Sequence, residues 1–356
     1  MAKALAVALG LMFSVGIEAV SAQDVARVSV DSAVSIDHFI GEGTADRPNI
    51  VVDISAVLRL GNGWIAYVRP WFRQPRAATW DREIYQAALQ YERPGRVSRR
   101  IDIGYIASPI GLGMMDTRPG VNPTILPHLS YLQPMPGFDP SAPRIQPIAS
   151  TYPLGAQATF STQKWDTWAA LVNTPLNRIF VINAPSPNPP PRPFFVVGGG
   201  MTPRTGLRLG AAIAHGAYAK ASELTRGPAI DLDVTMVSFE GEYGLGHTKL
   251  RGELTRDALA TSAGPDVAYA WFVQGVQGIA PRWFVAARQE GASAPPLRTG
   301  IVPGVRTRMH ISEGTVGFRL SPEFTLRGSI AVRKSYTRTD RDRQVGASLV
   351  WARRWW

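Results

Sequence analysis

The sequence predicts an all-β transmembrane antiparallel barrel of about 16 strands, with a long third extracellular loop folded into the lumen. Three observations carry that prediction. Stretches of period-two alternation recur along nearly the whole chain, a secretory leader precedes them, and the links between them are short and long by turns. Alternation marks a strand with one face in an apolar medium, and an exported chain meets that medium in a membrane. A closed barrel is the strand architecture that satisfies every backbone N–H and C=O across hydrocarbon.

The leader opens with Lys3, runs through apolar residues from Ala4 to about Ile17, and offers Val20-Ser21-Ala22 as a small-residue cleavage site. Residues 1–22 therefore read as a signal peptide cleaved near Ala22, and 23–356 as the barrel. The leader's fourteen-residue run is shorter than the roughly 18–20 residues that a spanning helix needs. Beyond it no stretch is long and apolar enough for such a helix, although 45% of the chain is hydrophobic.

Alternation and turn residues place strands in the first half at about 27–36, 49–60, 63–74, 81–92, 99–108, 151–161, 165–173 and 193–201. The second half gives about 205–216, 231–243, 247–258, 266–277, 282–290, 310–320, 324–334 and 343–355. The last is sharpest: Val345, Ala347, Leu349, Trp351 and Trp355 share one face, and Gln344, Gly346 and Ser348 the other. Terminal tryptophans suit the boundary between hydrocarbon and water. The first is weakest, because Asp31, Asp37 and His38 interrupt its pattern, and fourteen or eighteen strands stay open. Short turns fall at Gly61-Asn62-Gly63, Arg93-Pro94-Gly95, near Gln163, at Thr202-Pro203-Arg204, Gly244-Leu245-Gly246, Ile279-Ala280-Pro281 and Ser321-Pro322-Glu323, with longer links between. Placing the short turns in the periplasm leaves both termini there.

The third long link, from Pro109 to about Ser150, carries nine prolines and apolar residues including Ile125, Leu126, Leu129, Tyr131, Leu132, Met135 and Phe138. A link that long and apolar is built to pack, either inside the barrel as a constriction or outside as a cap or inter-subunit latch. The proline cluster from Pro185 to Pro193 reads as a stiff, extended surface loop.

The net charge of +11 raises the question of nucleic acid, but the arginines are dispersed, no nucleic-acid motif is present and the chain is exported. Their place in the alternation is the lumen. Arg69, Arg73, Arg100, Arg208, Arg251, Arg319, Arg327 and Arg333 fall opposite the apolar face, with Arg288 if Trp283 and Val285 face lipid. Asp53, Asp102, Glu240, Glu253 and Glu313 join them, giving a mixed lining biased positive that either pairs across strands or sets a transverse field favouring small anions. In the third loop, Asp116, Arg118, Asp139 and Arg144 are the candidates to face that arginine row, Asp116 and Asp139 first. Neither cofactor nor metal is expected, since His38, His128, His215, His247 and His310 form no metal-spaced pair and no serine-hydrolase motif is present.

The arrangement resembles the trimeric, sixteen-stranded outer-membrane porins of Gram-negative bacteria. Two stretches are similar to phosphate-selective and related substrate-specific porins: Ile103-Gly104-Tyr105-Ile106-Ala107-Ser108-Pro109-Ile110-Gly111-Leu112, and Glu313 to Arg327, EGTVGFRLSPEFTLR. The resemblance implies a homotrimer in outer-membrane lipid that passes small hydrophilic solutes by diffusion, with the third loop narrowing each pore. The chain departs from that pattern in its proline-rich third loop, its few lysines and a lipid-face phase that falls on Trp355 rather than Trp356, which points to general or anion-leaning diffusion instead of phosphate specificity. A structural barrel occluded by its own loop and an outer-membrane barrel enzyme are the rival readings.

Overall fold

The computed structural model describes residues 27–41, 48–75, 79–112, 118–148, 152–178, 191–225, 230–297, 304–336 and 340–355. The leader, Asp116 and most of the second proline cluster lie outside them. Sixteen strands are present: β1 Val28–Gly41, β2 Asn49–Gly61, β3 Trp64–Gln74, β4 Asp81–Arg93, β5 Ser98–Tyr105, β6 Leu154–Ser161, β7 Trp165–Val172 and β8 Phe194–Arg204. The series continues with β9 Leu207–Ala219, β10 Leu232–Leu245, β11 Thr248–Thr261, β12 Gly264–Ala280, β13 Trp283–Pro296, β14 Arg306–Arg319, β15 Phe324–Lys334 and β16 Asp342–Arg354. Each pairs antiparallel with its sequence neighbours, and β1 pairs with β16, closing the barrel.

Closure falls on the strand whose alternation is poorest. β1 reaches Gly41, five residues beyond its predicted end, because the β16 ladder continues to hydrogen-bond it past Ile36. Ser35 and Asp37 turn inward and Ile36 and Ile40 outward, so the alternation holds even where a charge interrupts the apolar face. The seam is fastened at the other end. Trp355 donates its backbone N–H to the Val30 carbonyl at 2.8 Å and its indole N–H to Ser32 at 2.7 Å, and Arg354 meets Asp31 at 2.8 Å.

The short turns gather at one end of the barrel. In the tightest, Asn62 takes φ 50° between two glycines that also have positive φ, the local geometry a two-residue hairpin needs. At the opposite end one link departs from expectation: β11 and β12 are joined through Ser262 and Ala263 alone, because both strands run several residues longer than their apolar outer faces predict.

The outer face is apolar over most of the wall, with Leu209, Ile213, Phe239, Leu254, Val273, Val316, Leu326, Ile330 and Val345 all exposed there. The inner face is unlike a wholly polar lumen. On β10–β12, Val234, Met236, Leu259, Ala268, Ala270 and Phe272 also point inward, and the segment between β5 and β6 packs on them. That segment contributes Tyr131, Met135, Phe138, Ile145 and Ile148, all buried, with a short helical turn, α1, at Leu129–Leu132. Its entry bends at Gly111, whose φ of 102° is strained for other residues and whose missing side chain leaves room for the Tyr131 ring.

Candidate functional site

Alternation with burial puts all nine predicted arginines on the inner face, including Arg288, since Trp283 is exposed outward. Their surroundings divide them. Arg69 is buried, its guanidinium on Asp53 at 2.6 Å and beside the stacked rings of Tyr85 and Tyr152. Arg288 is buried against Glu313 at 3.1 Å and donates to the Pro127 carbonyl at 3.2 Å. Arg327 donates to the carbonyls of Asn122 and Thr124 at 2.6 and 2.9 Å, with Asp37 at 3.6 Å. Arg333 reaches Gln133 at 3.2 Å. These arginines hold the wall or the segment between β5 and β6.

The others reach solvent. Arg73 pairs with Asp81 at 3.1 Å and stacks on Trp71, both partners of the ion pair being about 40% exposed (39% and 41%). Arg100 pairs with Asp102 at 2.8 Å, Arg208 bridges Asp166 and Glu240, and Arg251 donates to Gln274. Arg319 lies over the Phe284 ring near the short-turn end. Of the loop candidates, Arg118 stands 3.4 Å from Asp53, and Arg144 is exposed. Asp139 is buried instead: it accepts from the Ser141 and Ser262 backbone N–H groups and from the Ser262 hydroxyl. It clips the segment to the tight β11–β12 turn.

The wall carboxylates supply the fixings that residue-by-residue reading of the sequence missed. Glu253 accepts from the Leu112 N–H at 2.8 Å and the Tyr131 hydroxyl at 2.5 Å. Glu290 accepts from the Ser130 N–H at 2.5 Å, and Glu313 from the Ile125 and Leu126 N–H groups at 2.9 and 3.1 Å. An irregular segment has backbone donors with no ladder to satisfy them, and buried carboxylates do so. Their phase was legible: alternation puts Glu253 and Glu313 inward, and Glu290 shares the inward phase of Arg288 on β13, but which backbone donors they meet is not written in the alternation.

His128 closes the cluster, its ring 3.3 Å from Glu290 and 4.4 Å, centroid to centroid, from Phe272. Burial, with the Arg288 guanidinium adding to it, holds the imidazole below its ordinary value despite the opposing pull of Glu290 and Glu253. Among the described residues no group of three His, Asp or Glu side chains is arranged to hold a metal ion.

No family model matches the sequence, and no curated protein matches it either. Solved structures do match in shape. OmpF of Salmonella typhi, solved with daunomycin, superposes with a TM-score of 0.63 at 8% identity, over 92% of this chain and 97% of that one. The anion-selective porin from Comamonas acidovorans gives 0.56 at 10% identity, over 92% and 99%. This is the outer-membrane porin-type fold. OmpT of Vibrio cholerae, an outer membrane protein solved in a trimer form, shares it with a TM-score of 0.58 at 12% identity, over 92% and 99%. Within a porin-type fold the segment between β5 and β6 is the third of the long links; many of its anchors here lie on β11, β13, β14 and β15, while its own Arg118 faces Asp53 on β2 and, with Arg73, lines a cleft that Trp71, Tyr85 and Asn49 also line.

Proposed function

We propose that this chain is an outer-membrane channel through which small hydrophilic solutes diffuse passively, with a mild preference for anions. The observation that carries the reading is the sixteen-strand closed barrel in which Leu112, Ile125, Leu126 and Ser130 of the third link donate backbone N–H groups to inner-wall carboxylates; on this reading the link narrows the lumen. Glu253, Glu290 and Glu313 are buried in those bonds, so the charge left in contact with pore water comes more from Arg73, Arg100, Arg144 and Arg319. Cations at that position favour anions without binding them tightly.

In this proposal residues 1–22 are removed on export, 23–356 form the barrel, outer-membrane lipid surrounds it, and three copies associate, as in the trimer form of a structural neighbour. A catalytic role is not favoured: His128 is enclosed by Glu290, Phe272 and Tyr131 rather than open to a substrate. The test is the reversal potential of the folded protein in a planar bilayer under a potassium chloride gradient. Stable conductance with an anion-favouring potential supports the proposal. Absence of conductance from protein shown to be folded favours an occluded barrel, and a cation-favouring potential removes the selectivity.

A further inference from the structure

The outer wall changes character on one side. On β11–β16 the outward positions near the short-turn end are apolar, with Trp283, Phe318, Phe324, Leu326 and Trp351. Toward the long-link end the same strands turn outward Arg256, Tyr269, Trp271, Gln289, Ser293, Arg308, His310, Lys334 and Arg343. Ladder register arranges them in rows. Arg256 stands opposite Tyr269, Tyr269 opposite Ser293 and Ser293 opposite Arg308, while His310 stands opposite Lys334 and Arg343 opposite Val332. Arg308 and Lys334, and Lys334 and Arg343, are therefore diagonal neighbours, each pair about 7–8 Å apart, with Lys334 in the middle of the row and the two long arginine side chains able to reach toward it.

The patch sits at a defined depth. A strand needs about 9–11 residues to cross hydrocarbon, and β11, β12, β13 and β14 have 14, 17, 14 and 14. Counted from the short-turn end, Tyr269, Arg308 and Arg343 lie just past that limit and Lys334 at it, which is headgroup level. Outward polar residues occur at this depth elsewhere too, at His38, Gln74 and Arg82, but there they stand among apolar Ile40, Ile50 and Phe72, whereas β14–β16 bring three cations onto neighbouring strands. The surface is also concave. Gly291 lets the Trp271 indole lie on the sheet where a Cβ would collide with it, and the two line a cleft of about 880 Å³ with Arg308, His310 and Lys334.

We propose that this cleft binds a lipid whose headgroup carries a phosphate, with the phosphate between Arg308 and Lys334, Arg343 beside Lys334 at the edge of the cleft, Gln289 and His310 as further polar contacts, and the acyl chains along the apolar wall below. The occupant is a lipid because the cleft opens on the outer face at headgroup depth and continues into exposed Val316, Leu326 and Ile330. A second copy of the chain is disfavoured by charge. Arg256, Arg308, Lys334 and Arg343 make no ion pair among the described residues, and Asp233 is the one carboxylate those residues place at an outward strand position, so another barrel offers almost nothing acidic to meet them.

The inference uses the membrane placement proposed above, and its test does not. Detergent-folded full-length barrel is mixed with phosphatidic acid, phosphatidylcholine or inorganic phosphate, and bound molecules are counted by native mass spectrometry. The wild type is expected to retain phosphatidic acid over phosphatidylcholine, and the triple variant Arg308→Gln, Lys334→Gln, Arg343→Gln to bind it about tenfold more weakly or less. The single variant Lys334→Gln, expected to show a smaller loss, keeps the test open if the triple variant does not fold. Equal binding by wild type and variants overturns the site. Displacement of the lipid by millimolar inorganic phosphate overturns the lipid assignment, and retention of lipid with a changed oligomeric state assigns the patch to a second copy. Single-channel conductance of the triple variant is expected to stay unchanged, so loss of lipid binding and failure of the channel reading are separate results.

Discussion

Glu253 holds two donors of the inserted segment, Leu112 N–H and the Tyr131 hydroxyl, on one carboxylate oxygen, and Ser238 and Thr255 flank the other. Tyr131→Phe removes one donor while keeping the ring packed, and is expected to cost about 1–3 kcal/mol in the free energy of unfolding measured by urea titration in micelles. Glu313→Ala leaves the buried Arg288 guanidinium without its closest carboxylate and two loop N–H groups without an acceptor. Removing one member of such a buried network should cost more, about 3–5 kcal/mol. His128 adds a pH dependence. Its folded-state value lies below the ordinary 6.5, so the unfolded chain takes up the proton first, and the attachment of the segment weakens as pH falls below that value. Arg288, Glu290 and Glu253 face the ring, and backbone protection factors across 118–148, taken relative to the intrinsic exchange rate at each pH, are expected to fall between pH 7.5 and 5 in the wild type but not in His128→Phe.

At the scale of elements, the third long link is fixed at several separated points, on β11, β13, β14, β15 and the β11–β12 turn. Asp139→Ala releases the last of these alone. Current noise in single channels is expected to rise while mean reversal potential stays constant, since Arg73 and Arg319 are untouched; an unchanged noise spectrum would show that the other fixings suffice. A second clasp joins the links on either side of β8 and β9. Glu223 accepts from Arg178 at 2.6 Å, from the Lys220 backbone N–H and from Arg192. Burial works against its ionised form, yet those donors outweigh it and hold the carboxyl below its usual range. The clasp is therefore present above the unfolded value and is lost as pH falls through the folded one. The strands themselves were legible because lipid imposes a period-two code. Their long-link ends on β13 and β14 were not: predicted 282–290 and 310–320 became Trp283–Pro296 and Arg306–Arg319. Gln289, Ser293, Arg308 and His310 break the code there because the outer face at that depth no longer meets hydrocarbon.

For the whole molecule, the lipid-facing band sets the tolerance to charge. Leu254→Arg, near the middle of the apolar wall, is expected to lower stability by about 2–4 kcal/mol in a bilayer, and a mutation of the same kind near Arg308 by close to nothing. The surplus of eleven positive charges is distributed by topology, since the inner wall mixes arginine with carboxylate while the outward strand positions carry cations and, among the described residues, Asp233 as their one acid. Arg73→Ala is expected to shift the reversal potential toward zero, and Arg69→Ala to reduce folding yield instead, because Arg69 is buried on Asp53 and does not meet pore water.

Sequence alone pointed to about sixteen strands with fourteen or eighteen left open, to their antiparallel order, to the inward phase of eight arginines with Arg288 conditional on Trp283 and Val285, and to the packing demand of the 109–150 link. Those are local properties: alternation is written two residues at a time, and a turn needs its glycine or asparagine in place. Only the closed barrel decided which arginines stay wet, since Arg288 on β13, Glu313 on β14 and Pro127 of the link are far apart in sequence and meet because the wall curves around that link. The same curvature turned Asp139 from a candidate pore charge into a clip on Ser262. Partners of this kind are set by three-dimensional closure, which no window of alternating residues contains.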